Sequence, residues 1–174
     1  MKILCISIML ITSLCETNIV GKTMDYCVKG FVFHAADYLS KNSPDKALAV
    51  FKDPRGIFAR AWTYLVVYSP AGIILAHGKN SALNGKNIKH IEDQEEQARW
   101  ESILTLLKKP IQVGCVHYIV NGSKYCHFIK KVKTAKNVEY IVSAGHAVAA
   151  KDDHCYCPHD NIKGQESFRL QDRI

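Results

Sequence analysis

Apolar side chains recur with a helical period in the first third of the chain. Between residues 24 and 42 they lie on one stripe, which predicts a long amphipathic helix; its members are Val28, Phe31, Val32, Ala35 and Leu39. A second helix is predicted to begin at Ser43-Pro44-Asp45, because Ser is a favoured N-cap and Pro is favoured in the first turn. It ends near Phe51, before the turn Asp53-Pro54-Arg55-Gly56.

The remaining pattern predicts two hairpins, a helix between them and a last strand. Residues 61–68 and 73–77 are rich in aromatic and β-branched side chains and flank a Ser-Pro-Ala-Gly turn. Asp93 and Glu96 have the spacing of a capping box at the start of a helix that Pro110 stops. Asn121-Gly122 is a strong hairpin signal between residues 112–120 and 124–132. Residues 138–148 form the last strand.

This order of elements predicts an α+β domain. We expect a five-stranded, mostly antiparallel sheet with helices packed on one side of it. The predicted domain spans residues 22–149, and residues 150–174 form a polar tail in which the hydrophobic period is lost.

The N-terminus has the pattern of a secretory signal. Residues 3–14 are apolar apart from small Ser and Thr, Lys2 precedes them and Glu16 follows. A membrane-spanning helix would need about 20 such residues. We therefore predict a signal peptide at residues 1–21, cleaved after Cys15 or after Gly21, and a periplasmic or secreted protein.

Composition and charge narrow the function classes. The chain has 174 residues, 48% of them hydrophobic and 22% charged, which suits one globular domain. The formal net charge is +7, but Lys and Arg are scattered among acids, and the run Lys130-Lys131-Val132-Lys133 is interpreted as a solvated strand face. Export and dispersed charge both argue against a nucleic-acid partner.

Five cysteines remain once the predicted signal is removed, so the mature monomer can form at most two disulfides. They are Cys27, Cys115, Cys126, Cys155 and Cys157. A two-residue hairpin turn makes Cys115 and Cys126 diagonal neighbours about 7–8 Å apart, which does not favour a bridge between them.

The tail contains four donor side chains suited to a soft or borderline metal. They are His154, Cys155, Cys157 and His159, and zinc or copper is the metal they would bind. The alternative is a tail whose cysteines form disulfides, for example with Cys27.

Several aromatic and imidazole side chains are predicted to share one face of the sheet. The period of two places Trp62, Tyr64, Val66 and Tyr68 together on the first strand. The hairpin register places Tyr118 opposite Tyr125 and Val116 opposite His127. Hydroxyls and imidazoles on this face could bind a carboxylate or an amine, with His77 at the end of its strand as a further contact.

Four motifs in this order resemble the single Cache domain, the PAS-like extracytoplasmic sensor module of bacterial receptors. They are ALAVFKDPRGIF (47–58), YLVVYSPAGIILAHG (64–78), NGKNI (84–88) and YIVSAGHA (140–147). The resemblance covers residues 28–148. Family members usually have Lys and, three residues later, Tyr on the fourth strand, where this chain has Tyr125 and Phe128, and Ala147 stands where an aromatic often closes the last strand.

The resemblance implies a PAS-like fold and a binding function without catalysis. The implied ligand is a small organic molecule such as a carboxylate, with no cofactor required, and the implied partner is a membrane-bound signalling protein. A homodimer through the N-terminal helix is a further expectation. The candidate ligand-binding residues are Tyr64, His77, Tyr118, Tyr125, His127 and Phe128. The alternative function is an exported metal-binding protein that uses the four-donor tail.

Overall fold

The computed structural model describes the backbone of residues 21–61 and 63–148, and side chains from residue 27 onward. Residues 1–20 of the predicted signal, Trp62 and the metal candidates lie outside the described residues; those candidates are His154, Cys155, Cys157 and His159. In the described part of the chain, no helix has both the length and the apolar character needed to cross a membrane.

Residues 21–61 and 63–148 contain three helices and five strands. Helix α1 spans Gly21–Lys41, α2 spans Pro44–Lys52 and α3 spans Gln94–Leu107. The strands are β1 (Leu65–Tyr68), β2 (Ile74–His77), β3 (Val113–Val120), β4 (Ser123–Lys133) and β5 (Glu139–Val148). Two short 3-10 turns, Ser81–Leu83 and Ile88–His90, connect β2 to α3.

The strands form one sheet in the order β2-β1-β5-β4-β3, and every neighbouring pair is antiparallel. This confirms the predicted α+β class and both hairpins. In the second hairpin, Asn121 and Gly122 have φ of 50° and 74°, as a two-residue I′ turn requires. The predicted register is confirmed, because Tyr118 pairs with Tyr125 and Val116 with His127.

Helices cover both faces of the sheet, so the prediction that they pack on one side was wrong. Leu65 and Val67 face α1 and α2, whereas Val66 and Tyr68 face α3 and the 3-10 turns. All four residues of β1 are buried, and successive side chains on a strand point to opposite faces. A strand that is apolar on both faces must be shielded from water on both. Helices α1 and α2 shield one face of β1, and α3 with the 3-10 turns shields the other.

The cysteines within the described residues are all bonded. Cys27 at the start of α1, Cys115 on β3 and Cys126 on β4 are each part of a disulfide. Cys115 and Cys126 are buried in the core beneath α1 and α2. Disulfides persist in oxidising compartments, so these bonds are consistent with the predicted export.

Candidate functional site

A cavity of about 350 Å³ opens at one end of the sheet. Four strand ends meet there, since the sheet is antiparallel: the residues before β1, those after β2, the start of β4 and the end of β5. The loop after α2 and the first turn of α3 complete the wall. The lining side chains used below are Arg60, Tyr64, Lys79, Glu95, Tyr125 and His127. Small-ligand sites are clefts of about this size, 300–1,000 Å³, with a few polar groups converging on them.

Two cationic side chains stand at this cavity. The Lys79 ammonium lies 5.5 Å from the centre of the Tyr64 ring, and the Arg60 guanidinium lies 5.5 Å from that of Phe31. Arg60 Nη1 also donates to the carbonyl of Ala59 at 2.8 Å. Among the described residues, neither Arg60 nor Lys79 forms an ion pair. Both charges are therefore available to an anion in the cavity.

A buried ionic network lies behind the cavity wall. The Arg99 side chain is fully buried, and its Nη2 donates to the Tyr64 hydroxyl at 2.8 Å and to Glu96 Oε1. Glu96 also accepts from the Tyr68 hydroxyl at 2.9 Å. Burial alone would raise the pKa of Glu96, but the hydrogen bond from His77 and the charge of Arg99 hold it below its ordinary value. Glu96 is therefore a carboxylate at neutral pH.

The backbone fixes the tautomer of His77. Its Nδ1 accepts from the backbone N–H groups of Lys79 at 3.2 Å and Asn80 at 2.9 Å. Nε2 therefore carries the proton and donates to Glu96 Oε1 at 3.0 Å. The ring is buried and stacks on Tyr64, with 5.1 Å between ring centres and 21° between planes. His77 therefore holds the Tyr64 ring in place by packing against its face.

The Tyr64 hydroxyl joins this network to the cavity. It donates to Glu95 Oε1 at 2.7 Å and accepts from Arg99 Nη2. Burial raises the pKa of Tyr64, with Arg99 opposing the shift and the bond to Glu95 adding to it. The phenol therefore stays protonated and acts as a hydrogen-bond donor at the cavity wall.

His127 is the most deeply buried imidazole that lines the cavity. Its Nε2 shares a 2.8 Å hydrogen bond with the Tyr118 hydroxyl, and its Nδ1 lies 3.3 Å from Ser143 Oγ. Burial, the charge of Arg99 and His146 together hold the pKa of His127 well below its ordinary value. The ring is therefore neutral at pH 7.

The six predicted ligand residues occupy three different places. Tyr64, Tyr125 and His127 line the cavity. His77 and Tyr118 are buried one layer behind it, bonded to Glu96 and His127 respectively.

Phe128 requires a correction. It lies in the core beneath α1 and α2, 3% exposed, and pairs with Cys115 and Ala144. It follows His127 on β4, and consecutive strand residues point to opposite faces. The matched family position therefore placed Phe128 on the wrong side of the sheet for this cavity.

Arg99 was not among the residues predicted from the sequence, and Glu96 was predicted only as part of a helix cap. The capping box exists in part, since Asp93 Oδ1 accepts from the Glu96 backbone N–H at 3.0 Å. The Glu96 side chain, however, turns inward to Arg99, His77 and Tyr68 instead of back to the helix start. The available signal was the i, i+3 spacing of Glu96 and Arg99 on one side of a helix, which is also ordinary for exposed pairs.

Comparison with known proteins yields structural likeness only. No family model matches the chain, and no curated protein matches it. A Cache chemosensory domain that recognises carboxylic acids is similar at 17% identity and a TM-score of 0.48, covering 80% of this chain and 97% of that one. The periplasmic sensor domain of a chemotaxis protein gives 17% identity, a TM-score of 0.45 and coverages of 74% and 93%.

A methyl-accepting chemotaxis protein from Vibrio parahaemolyticus RIMD 2210633 is also similar, at 12% identity and a TM-score of 0.49, with coverages of 72% and 89%. Cache and periplasmic sensor domains are thus among the solved structures that this chain is similar to. Within the described residues, no group of three or more His, Cys, Asp or Glu side chains is placed to hold a metal ion.

Proposed function

We propose that this protein is an exported, Cache-type binding protein whose cavity takes a small organic anion such as a carboxylate. The observation that carries the proposal is the cavity of about 350 Å³ with Arg60 and Lys79 on its wall. Neither cation is neutralised by an ion pair with another described residue. The volume suits a small molecule rather than a polymer.

The other polar groups favour an anion over a cation. Glu95 already accepts hydrogen bonds from Tyr64 and Arg99, so its charge is partly compensated. His127 is neutral and bonded on both ring nitrogens.

Asp53 also lines the cavity without an ion pair among the described residues, and its Oδ1 accepts from the Arg55 backbone N–H at 2.9 Å. The choice of an anion therefore rests on Arg60 and Lys79, the two lining cations that no described acid pairs with.

Binding, rather than catalysis, fits the side chains at the cavity. A thiol nucleophile needs a free cysteine beside a base, and the cysteines at Cys27, Cys115 and Cys126 are in disulfides. Through the Cache resemblance we further propose that the bound state is transmitted by a membrane-bound signalling partner. The signal-like N-terminus and the disulfides support a periplasmic or secreted location.

A thermal-shift screen of the exported protein tests the ligand class. Acetate, pyruvate and succinate are compared with small amines and purines, because a ligand that binds only the folded state raises stability by about 2.7 kcal/mol at 100 times its Kd. We expect carboxylates to raise the Tm and amines to leave it unchanged. Shifts with amines alone, or with none of these compounds, would overturn the proposal.

Charge-removing variants locate the binding site. Arg60→Gln and Lys79→Gln are each expected to weaken carboxylate binding by roughly fivefold, as one partly exposed charge interaction is worth up to about 1 kcal/mol. Lys133→Gln is the matched control, since Lys133 is exposed at the far end of β4. Equal effects in all three variants would mean that the response is to net charge and not to this cavity.

A further inference from the structure

Glu95 accepts the hydrogen bonds that an anionic ligand at this wall of the cavity would need. Its Oε1 accepts from the Tyr64 hydroxyl at 2.7 Å and from Arg99 Nη2 at 3.4 Å. Tyr64 and Glu95 both line the cavity, and Arg99 lies directly behind them. A carboxylate therefore already sits where two donors converge at the wall.

Arg99 keeps unused bonding capacity in this arrangement. Its Nη2 donates to Tyr64, Glu95 and Glu96. Its Nε and Nη1 have no partner in good hydrogen-bond geometry among the described residues, although the Tyr118 hydroxyl also lies close enough to interact with the guanidinium. A guanidinium has five N–H donors, and buried donors are nearly always satisfied. The single carboxylate of Glu96 does not exhaust what this fully buried cation can bind.

The two neighbouring glutamates are held very differently. Glu96 is 2% exposed and bonded to Arg99, His77 and Tyr68. Glu95 is 31% exposed in its side chain, and its contact with Arg99 is long, because charged N–H···O bonds are normally about 2.7–2.9 Å. The Glu95 side chain can turn into solvent and be hydrated there. If the Glu96 side chain moved away, the buried charge of Arg99 would lose its closest carboxylate.

We propose that Glu95 is an internal stand-in for the ligand: its carboxylate occupies the anion position at Tyr64 and Arg99, and the carboxylate of a small organic acid binds by displacing it. This inference rests on the proposed function and names the groups that recognise the anion. Arg60 and Lys79 attract the ligand at the cavity, and the Tyr64 hydroxyl and Arg99 receive it.

Displacement makes Glu95 a determinant of both affinity and selectivity. A ligand must replace one carboxylate with another, so anions that offer two acceptor oxygens compete well and neutral amides or amines do not. The exchange also lowers the apparent affinity, because the bonds of Glu95 are lost when the ligand binds. Removing the negative charge of Glu95 should therefore strengthen binding.

Glu95→Gln is the test, with acetate and succinate as probes and titration calorimetry as the readout. The amide keeps the shape of the side chain but is a weaker acceptor than a carboxylate. We expect both probes to bind about tenfold more tightly, the effect of one charged hydrogen bond. Glu101→Gln is the matched control, because Glu101 is exposed on the same helix, and it should change Kd by less than about twofold.

A second variant shows whether the ligand binds in the position of Glu95 or is only repelled by the negative charge of Glu95 from another position. In the Glu95→Gln background, Tyr64→Phe removes the shared donor and is expected to abolish most of the tenfold gain. If the double variant keeps the whole gain, the ligand sits elsewhere and the stand-in is disproved. Thermal melts of each variant confirm that the fold is retained.

The outcomes separate this inference from the proposed function. If the wild-type protein binds the probes and Glu95→Gln binds them equally or less tightly, the stand-in is wrong while the binding function stands. If neither the wild type nor Glu95→Gln binds acetate or succinate, both are wrong. Binding that appears only in Glu95→Gln would overturn both, because the wild-type protein then takes none of these acids and its Glu95 is not displaced by them.

Discussion

The ring of Tyr118 stacks on that of Tyr125, with 5.2 Å between ring centres and 8° between planes. The two residues face each other across the β3–β4 hairpin, but their hydroxyls have different environments. That of Tyr118 is bonded to His127 at 2.8 Å behind the wall, and Tyr125 lines the cavity. Tyr118 therefore stabilises the fold through its buried hydrogen bond, whereas Tyr125 is placed to contact a molecule in the cavity.

Tyrosine-to-phenylalanine variants should separate these two roles. Tyr118→Phe is expected to lower the free energy of unfolding by about 1–2 kcal/mol, because His127 Nε2 loses its buried partner. Tyr125→Phe should change it by less than about 0.5 kcal/mol. Urea unfolding measures both, and a larger loss in Tyr125→Phe than in Tyr118→Phe would contradict the assignment.

Stability should fall as the pH drops from neutral toward 5.5. Burial, Arg99 and His146 hold the pKa of His127 well below its ordinary value, whereas an unfolded histidine titrates near 6.5. Below about pH 7 the unfolded chain therefore binds a proton that the folded protein does not. The free energy of unfolding then falls by up to about 1.4 kcal/mol per pH unit until the folded pKa is reached. His146, whose pKa is also lowered by burial, acts in the same direction.

Urea unfolding at pH 7.5, 6.5 and 5.5 measures this dependence, and His127→Gln provides the comparison. The variant should be less stable at pH 7.5 but show a shallower loss over the same range. The contribution of Glu96 appears only at lower pH, because its pKa lies below the ordinary carboxyl value and its stabilisation is lost on protonation. An unchanged slope in His127→Gln would contradict the assignment of this titration to His127.

Sequence patterns over a few neighbouring residues were sufficient to predict the strand pairing of the sheet, but not the buried ionic network. Asn121-Gly122 fixes a two-residue turn, so the facing of Tyr118 and Tyr125 followed from the turn alone. The network depends on Glu96, which bonds to Arg99 on its own helix and to His77 and Tyr68 from two strands far from α3 in sequence. A charged residue on a helix is normally expected in solvent, and only tertiary contacts show that this one is buried.

His127 and Phe128 are consecutive on β4, yet both were predicted to contact the ligand. Strand alternation places His127 at the cavity and Phe128 in the opposite core. The family position suggested Phe128 as a ligand residue despite that alternation. The prediction that the helices pack on one side of the sheet was wrong for a related reason. All four residues of β1 are apolar and buried, and burial on both faces of a strand requires packing elements on both sides of the sheet.

Removing the buried cation should cost more stability than any single hydroxyl. Arg99→Met leaves Glu96 as a buried carboxylate without its guanidinium, and breaking a buried pair typically costs about 3–5 kcal/mol. Adding Glu96→Gln to Arg99→Met should recover part of that loss, because the uncompensated charge is then gone. Chemical unfolding of the two variants measures the recovery, and a double variant less stable than Arg99→Met would contradict the pairing.

Glycine-to-alanine substitutions should give a graded series set by what the added Cβ meets. At Gly145 a Cβ would overlap the His127 ring and the Cys126 carbonyl oxygen. The carbonyl belongs to the neighbouring strand and the ring is bonded to Tyr118, so neither can move cheaply. Gly145→Ala is therefore expected to lose about 3 kcal/mol or more and to displace His127 from the cavity wall.

The other two members of the series have more room. At Gly114 the added Cβ comes within 2.6 Å of Leu106 Cδ2, the end of a flexible side chain, so the expected loss is about 1–2 kcal/mol. At Gly30, inside α1, nothing lies within 4 Å, and alanine should gain about 0.5–1 kcal/mol through better helix propensity. Thermal unfolding of the three variants measures the order. If Gly145→Ala were as stable as Gly30→Ala, the close approach of β4 and β5 at His127 would be wrong, and with it the wall of the cavity.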